Sequence, residues 1–301
     1  MLSLKIIVIF LFYVFSCVGF PAGETPRFHK LANEGKINIQ ILRQVYPQIE
    51  TDLSCLVEAY PAHIKATHVS SDNKVYVVMK NQKRILYDDL KPKEFEEKLN
   101  HPDLEDMLSQ IYPAGQDLGV GEPDCDPGRF RVKEFFDSIY GGTPQEVNKN
   151  LVSVPFCGQR VSFNGQNRAA QALEKVGREL EGVLQRRPAL RPYVLPLGGT
   201  YNWRHIAGTD RQSPHSWGIA VDLNPRHGLY WRSVGLKSGL EHLQTRKTYP
   251  MELIQIFENH GFIWGGRWWH FDVMHFEYRP ELLLKARKGR ARGFPEWPAP
   301  Q

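Results

Sequence analysis

Beyond its first twenty residues this 301-residue chain has no apolar run long enough to cross a membrane, which takes roughly 20 consecutive apolar residues. Cysteine is scarce. The four are Cys17, Cys55, Cys125 and Cys157, and no two form a metal-binding C-x-x-C pair, so they stand outside the chemistry. No glycine-rich phosphate loop occurs, because Gly198-Gly199 and Gly265-Gly266 lack its spacing. No internal repeat is visible. Neither charge sign dominates: 38 Lys and Arg against 33 Asp and Glu leave +5. That is too little to imply a nucleic-acid partner, and it favours an anionic one such as a cell-wall polymer.

The composition that remains, 42% hydrophobic and 24% charged, is that of a globular protein. A short basic start, Met1-Leu-Ser-Leu-Lys5, precedes an almost unbroken apolar run over 6–20. Its length fits the core of an export signal (residues 1–20), with an uncleaved membrane anchor as the alternative. Export places the mature chain in the periplasm or outside the cell, with no stable membrane span. Cys17, following Ser16 at the end of the run, resembles a lipoprotein processing site, so a lipid anchor at Cys17 stands beside ordinary cleavage. An exported chain usually pairs its cysteines, but Cys55, Cys125 and Cys157 leave one over.

Residues 21–120 form an N-terminal region of no assigned role. Residues 64–70 and 74–79 alternate and are rich in Val, Tyr and Ile, which predicts a hairpin extended by 84–87. Short helices are predicted near 92–99 and 102–111. Residues 115–127, rich in Gly, Pro and Asp, read as a linker. The second region covers 125–285. Thr143-Pro144-Gln-Glu146 is a capping box with proline at the first helical position. Residues 167–186 are the clearest helix, with Ala169, Ala172, Leu173, Val176, Leu180, Val183 and Leu184 on one face. Another helix runs over 250–260 and stops at Gly261. A helix followed by several widely connected strands argues an α+β fold. The basic residues Lys285, Arg287, Lys288, Arg290 and Arg292 read as a solvated tail leading into 286–301.

The chemistry gathers in two segments. The first is Ser213-Pro-His215-Ser-Trp-Gly218-Ile-Ala-Val-Asp222; the second is Trp268-Trp-His270-Phe-Asp272-Val-Met-His275-Phe-Glu277. Asp222 lies in an apolar run, where a lone carboxylate suffers several kcal/mol of desolvation unless paired or metal-bound. Two imidazoles and one carboxylate (His215, His275 and Asp222) make a three-ligand zinc set with one position open, the pattern of a catalytic zinc. Asp272 is then a spare acid to take a proton from water. Glu277 shares strand parity with His275 and suits orienting its imidazole. His270 is open between contacting the reaction intermediate and lying in the core. Arg204, just upstream, suits gripping a substrate carboxylate.

Arg204, Ser213-x-His215-x-x-Gly218-x-Ala220-x-Asp222 and Asp272-x-x-His275-Phe-Glu277 together resemble the VanY-like zinc peptidases, which include D-alanyl-D-alanine carboxypeptidases and L-alanyl-D-glutamate endopeptidases. The resemblance covers about 125–285 and implies a compact α+β domain with an antiparallel sheet, of the hedgehog/DD-peptidase kind, preceded by a smaller α+β N-terminal region. It implies one zinc ion held by His215, Asp222 and His275, and Asp272 as catalytic base. It also implies that Arg204 holds the substrate or stabilises the intermediate, with Ser213 and His270 as substrate contacts. The implied substrate is the stem peptide of peptidoglycan. Aspartate at 272, where many carboxypeptidases carry glutamate, leans towards the endopeptidase branch. A catalytically silent zinc-binding module of the same fold and a peptidase of non-wall peptides remain as alternatives.

Overall fold

The computed structural model describes residues 48–71, 74–115, 122–234 and 243–291. The export run, Cys17 and the end of the basic tail lie outside them. The fold is α+β, with small antiparallel sheets among helices.

The N-terminal region opens with α1 (Ile49–Ala59), followed by the sheet β1 (Ile64–Val69), β2 (Val75–Met79) and β3 (Arg84–Leu86), paired in that order. β2 alternates buried and half-buried positions, as its Val-Tyr-Val-Val-Met sequence predicts. Two short helices follow, α2 (Phe95–Asn100) and α3 (Leu104–Ser109). A capping box starts α3: Asp103 accepts from the Asp106 amide at 2.9 Å, and Asp106 accepts from the Asp103 amide at 3.2 Å.

Next come α4 (Lys133–Tyr140) and α5 (Pro144–Asn150). Thr143 caps α5 by accepting from the Glu146 amide, while Glu146 reaches back to the Gly142 amide rather than to Thr143. The hairpin β4 (Leu151–Phe156) and β5 (Gln159–Asn164) follows, and nothing in the sequence reading had marked it. Pro155 inside the run argues against a strand, and Val152 points outward. The turn is the cause of the hairpin. Cys157 and Gly158 both have positive φ (49° and 83°), the backbone of a two-residue turn whose twist matches that of paired strands. Helix α6 (Ala169–Arg186) buries all seven residues of its predicted face and packs on β4. Truncating one of them, Leu180, to alanine would cost about 2–5 kcal/mol.

The third sheet holds β6 (Ala220–Asp222), β7 (Phe262–Trp264) and β8 (His275–Tyr278), in the order β6–β8–β7. Helix α7 (Met251–Asn259) precedes β7 and ends at Gly261, where φ is +93°. Every residue of β7 and β8 is buried, so this sheet is the rigid floor of the molecule.

The last described element is α8 (Pro280–Ala291), which packs on α1. Lys285, read as part of a solvated run, is instead buried: its ammonium reaches Asp52 at 2.7 Å and the Leu108 carbonyl at 2.5 Å. Lys288 pairs with Glu58 at 2.7 Å. Tyr60 donates to Glu281 at 2.6 Å. A single hydrophobic core therefore runs from Ile49 in α1 to Ala286 in α8. No described helix is long and apolar enough to cross a membrane.

Candidate metal centre

His215 sits in a 3₁₀ turn, Pro214–Trp217, that Pro214 opens and Gly218 closes. Gly218 has φ +65°, and a Cβ there would stand 2.8 Å from Leu151 Cδ2, so both conformation and space require glycine. Ser216 fastens this turn to the segment before it: its hydroxyl accepts from the Arg204 amide and donates to the Arg204 carbonyl, both at 2.8 Å. Asp222 ends β6 and lies directly across the ladder from His275, the first residue of β8. Opposed residues of an antiparallel pair have Cβ atoms about 5 Å apart, so the register alone brings these two side chains together.

The ligating atoms converge. His215 Nε2 is 3.3 Å from His275 Nδ1 and 3.2 Å from one Asp222 oxygen, and His275 Nδ1 is 2.9 Å from the other. Zinc ligands about 2.0–2.1 Å from one ion at tetrahedral angles stand roughly 3.3 Å apart, so this triangle matches one face of such a site.

The far nitrogens have partners of their own. His215 Nδ1 donates to the Thr200 carbonyl at 2.5 Å, and His275 Nε2 faces Glu277 Oε2 at 3.7 Å. These contacts assign the ring hydrogens to the outer nitrogens and leave both inner lone pairs pointing at Asp222. Three acceptors gathered in this way repel unless a cation lies among them. A proton shows the same demand. Burial disfavours a charged His275, yet hydrogen bonds to Asp222 and Glu277 raise its pKa to about 9. Burial would likewise raise Asp222, but the charges and hydrogen bonds of His215 and then His275 hold it far below the carboxylate range. Arg131 grips Glu277 through two nitrogens, at 2.9 and 2.5 Å, and this keeps Glu277 ionised despite complete burial. The donor set fits zinc: two imidazoles and a carboxylate, with outer partners already in place.

Asp272 occupies a tight turn before β8. Its carbonyl accepts from the His275 amide at 3.2 Å, and its amide donates to Gly265 at 3.0 Å. A Cβ on Gly265 would stand 2.6 Å from the Asp272 carbonyl, so glycine lets that turn approach. Asp272 Oδ1 is fully shielded and has no hydrogen-bond partner. Burial raises its pKa to about 6; the neighbouring His275 charge opposes the rise and Asp222 adds to it.

The remaining candidates are less tightly drawn in. Ser213 is buried at the start of the metal turn, its amide donating to the Arg204 carbonyl at 3.1 Å. The Arg204 guanidinium is exposed and donates to the His205 carbonyl at 3.3 Å, not to any of the three ligands. His270 Nδ1 bonds Asp126 at 2.6 Å, and its ring stacks on Phe95 at 5.2 Å. Asp126, Thr200 and Arg131 escaped sequence reasoning. Asp126 lies in the stretch read as a linker, yet it is wholly buried, and nothing in a Gly/Pro-rich segment signals burial. Cys55, Cys125 and Cys157 are all free thiols. Burial pushes Cys55 up to about 11 and Cys157 to about 12, so neither is a reactive thiolate.

A family model described as D-alanyl-D-alanine carboxypeptidase matches residues 207–278. That segment contains His215, Asp222, Asp272 and His275, so over these residues the chain is similar to that family. The match supports a metallopeptidase in general terms. No curated protein and no solved structure matches the chain.

Proposed function

We propose that this protein is an exported zinc peptidase that hydrolyses peptide bonds in the stem peptides of peptidoglycan, with Asp272 as general base. The observation that carries this reading is a shielded carboxylate oxygen, free of any partner, beside a three-ligand group open to one more ligand. Bound to His215, Asp222 and His275, zinc supplies Lewis-acid character and makes water acidic near neutral pH.

The chain's own residues do the rest. Thr200 and Glu277 hold the imidazole rings in the orientation that faces Asp222. Asp272, unpartnered and raised towards neutrality, takes the proton of the attacking water and returns it to the leaving amine. His270, held by Asp126 through Nδ1, turns its Nε2 to the substrate. Arg204, exposed upstream of the metal turn, is free to grip a substrate carboxylate, and Ser213 contacts the substrate from the start of that turn. A silent binding module of the same fold has no need for an unpartnered acid at 272, so catalysis is the better reading. Digestion of purified peptidoglycan with and without a chelator, followed by mass analysis of the fragments, tests it. Metal-dependent release of peptide fragments supports the proposal and identifies the bond cleaved; an unchanged digest refutes it.

A further inference from the structure

Beside the candidate metal centre lies a cavity of about 570 Å³ that the reaction above does not use. Arg129, Arg131, Lys133, Arg211 and Arg232 line it, against only two acids, Glu96 and Asp210. One wall comes from the N-terminal region, through Leu99, Asn100 and His101 at the end of α2.

The guanidinium groups are held in place. Arg129 donates to the His270 carbonyl at 2.7 Å and lies over the Trp268 ring. Arg131 is clamped to Glu277. Arg232 donates to the Ala207 carbonyl at 2.7 Å and lies over Trp231. Arg211 is different. Its backbone is fixed on both sides, the carbonyl accepting from Ile206 at 2.8 Å and the amide donating to Thr209 Oγ1 at 3.2 Å. Its Nε is buried and has no hydrogen-bond partner. Burial lowers its pKa, the charges of Arg129, Arg131 and Arg232 lower it further, and Glu96 opposes them. Arg131 is paired with Glu277, Lys133 with Asp137 at 2.5 Å and Arg129 with Asp126 at 3.9 Å, so Arg211 and Arg232 are the lining cations with no acid at ion-pair distance among the described residues, and guanidinium forks match the two oxygens of a carboxylate.

We infer that this cavity is an anion subsite taking a carboxylate of an acidic peptide, with Arg211 as its principal grip and the N-terminal region as its far wall. The anion part stands on the cavity alone; the peptide part rests on the proposed function. Two links tie the subsite to the reaction. Arg131 connects the cavity to Glu277 behind His275, and residues 211 and 212 run directly into the metal turn. A substrate acid held here would lie beside the bond-breaking groups, making acidic side chains a specificity determinant.

The test uses the full chain and small probes. In calorimetry, glutarate should bind the wild type, its diamide should not, and inorganic phosphate should bind more weakly than glutarate. Arg211→Gln should weaken glutarate about tenfold or more, as expected for losing a charged hydrogen-bond pair. Arg232→Gln, at an exposed position that does not threaten folding, should weaken it in the same direction. Glutarate affinity unmoved by either change, or phosphate binding tighter than glutarate, overturns the assignment. In hydrolysis, wild type should prefer an acidic stem peptide to its carboxamide twin in kcat/KM, and Arg211→Gln should lose that preference. If neither peptide is cut while glutarate binding still depends on Arg211, the anion subsite survives and the peptidase reading falls.

Discussion

The N-terminal region and the β6–β8–β7 sheet both gather carboxylates under cover, and they resolve the charge in opposite ways. In the first, Lys93 is the hub: its ammonium lies 2.8 Å from Asp103, 2.7 Å from Asp106 and 3.2 Å from Asp89. In the second, no described lysine or arginine comes within ion-pair distance of Asp222 or Asp272, and the atoms that converge are imidazole lone pairs and carboxylate oxygens. Spacing alone does not separate the two clusters, since both bring three candidate ligands within reach of one point. The separation lies in whether the chain supplies its own cation. Where it does, the cluster is a joint; where it does not, the cluster is a candidate site for one. The same test singles out Arg211, a half-buried cation whose shielded Nε has no hydrogen-bond partner.

The sharpest way to break this contrast is to remove a ligand. His275→Ala should leave dialysed protein without metal and without measurable peptide hydrolysis, whereas any single change in the Lys93 cluster should leave metal content intact. Elemental analysis and a turnover assay read both. Metal retained stoichiometrically by His275→Ala would falsify the three-ligand assignment. Next in size is Asp272→Asn, which keeps shape and removes the base. Turnover should fall about 10²–10⁴-fold, the usual contribution of a positioned general base, with metal content unchanged. A rate within a few-fold of wild type removes Asp272 from the mechanism.

The outer contacts predict smaller effects. Glu277→Gln weakens the partner of His275 Nε2 and should lower zinc affinity about 10–100-fold, the range typical of such positions. It also strands Arg131, so a melting curve must accompany the titration. Zinc affinity should depend on pH as well. His275 carries a proton up to about pH 9 in the metal-free protein, and zinc must displace it. Affinity should therefore rise about tenfold per pH unit below pH 9 and level off above it, with one proton released per zinc at pH 7.5. Calorimetry in buffers of differing ionisation heat counts that proton; no release means His275 binds in the neutral state already.

How legible was this in the sequence? The helical face of α6 was, because seven apolar positions at helical spacing have one structural solution. The hairpin of β1 and β2 was, because its residues alternate. The two segments whose His215, Asp222 and His275 the fold brings together were visible because ionisable groups within apolar runs need a physical reason. The tail run was not: Lys285 looks like its neighbours in sequence, and only its position against Asp52 buries it. Nor were Asp126, Thr200 and Arg131 legible. Thr200 acts through its backbone carbonyl, which every residue carries, and Arg131 acts across 146 positions of chain. The hairpin of β4 and β5 was hidden by Pro155, which local rules count against a strand and which this exposed two-stranded ladder accommodates. Patterns reveal what a residue must avoid, but the partner it finds is set by tertiary contact.

The smallest effect tests the other half of the comparison. Lys93→Met keeps the apolar stem of the side chain and removes the ammonium, leaving Asp103 and Asp106 buried beside one another with only Lys98, 3.2 Å from Asp106, in support. Zinc content and turnover should not change. Stability should: removing one partner of a buried charge cluster costs about 1–3 kcal/mol, a melting shift of a few degrees at this chain length. The sign with pH follows from the carboxylates. Burial already raises Asp103 above its ordinary value, and without Lys93 it rises further above the roughly 3.9 it keeps in the unfolded chain. A carboxyl whose folded pKa is raised weakens the fold above that pKa and not below the unfolded one. The deficit of Lys93→Met should thus be large at pH 8 and close to nil at pH 3.5. A deficit equal at both pH values would mean Lys93 matters for its packing alone, and the contrast between a joint that carries its own cation and a site that lacks one would lose its electrostatic basis.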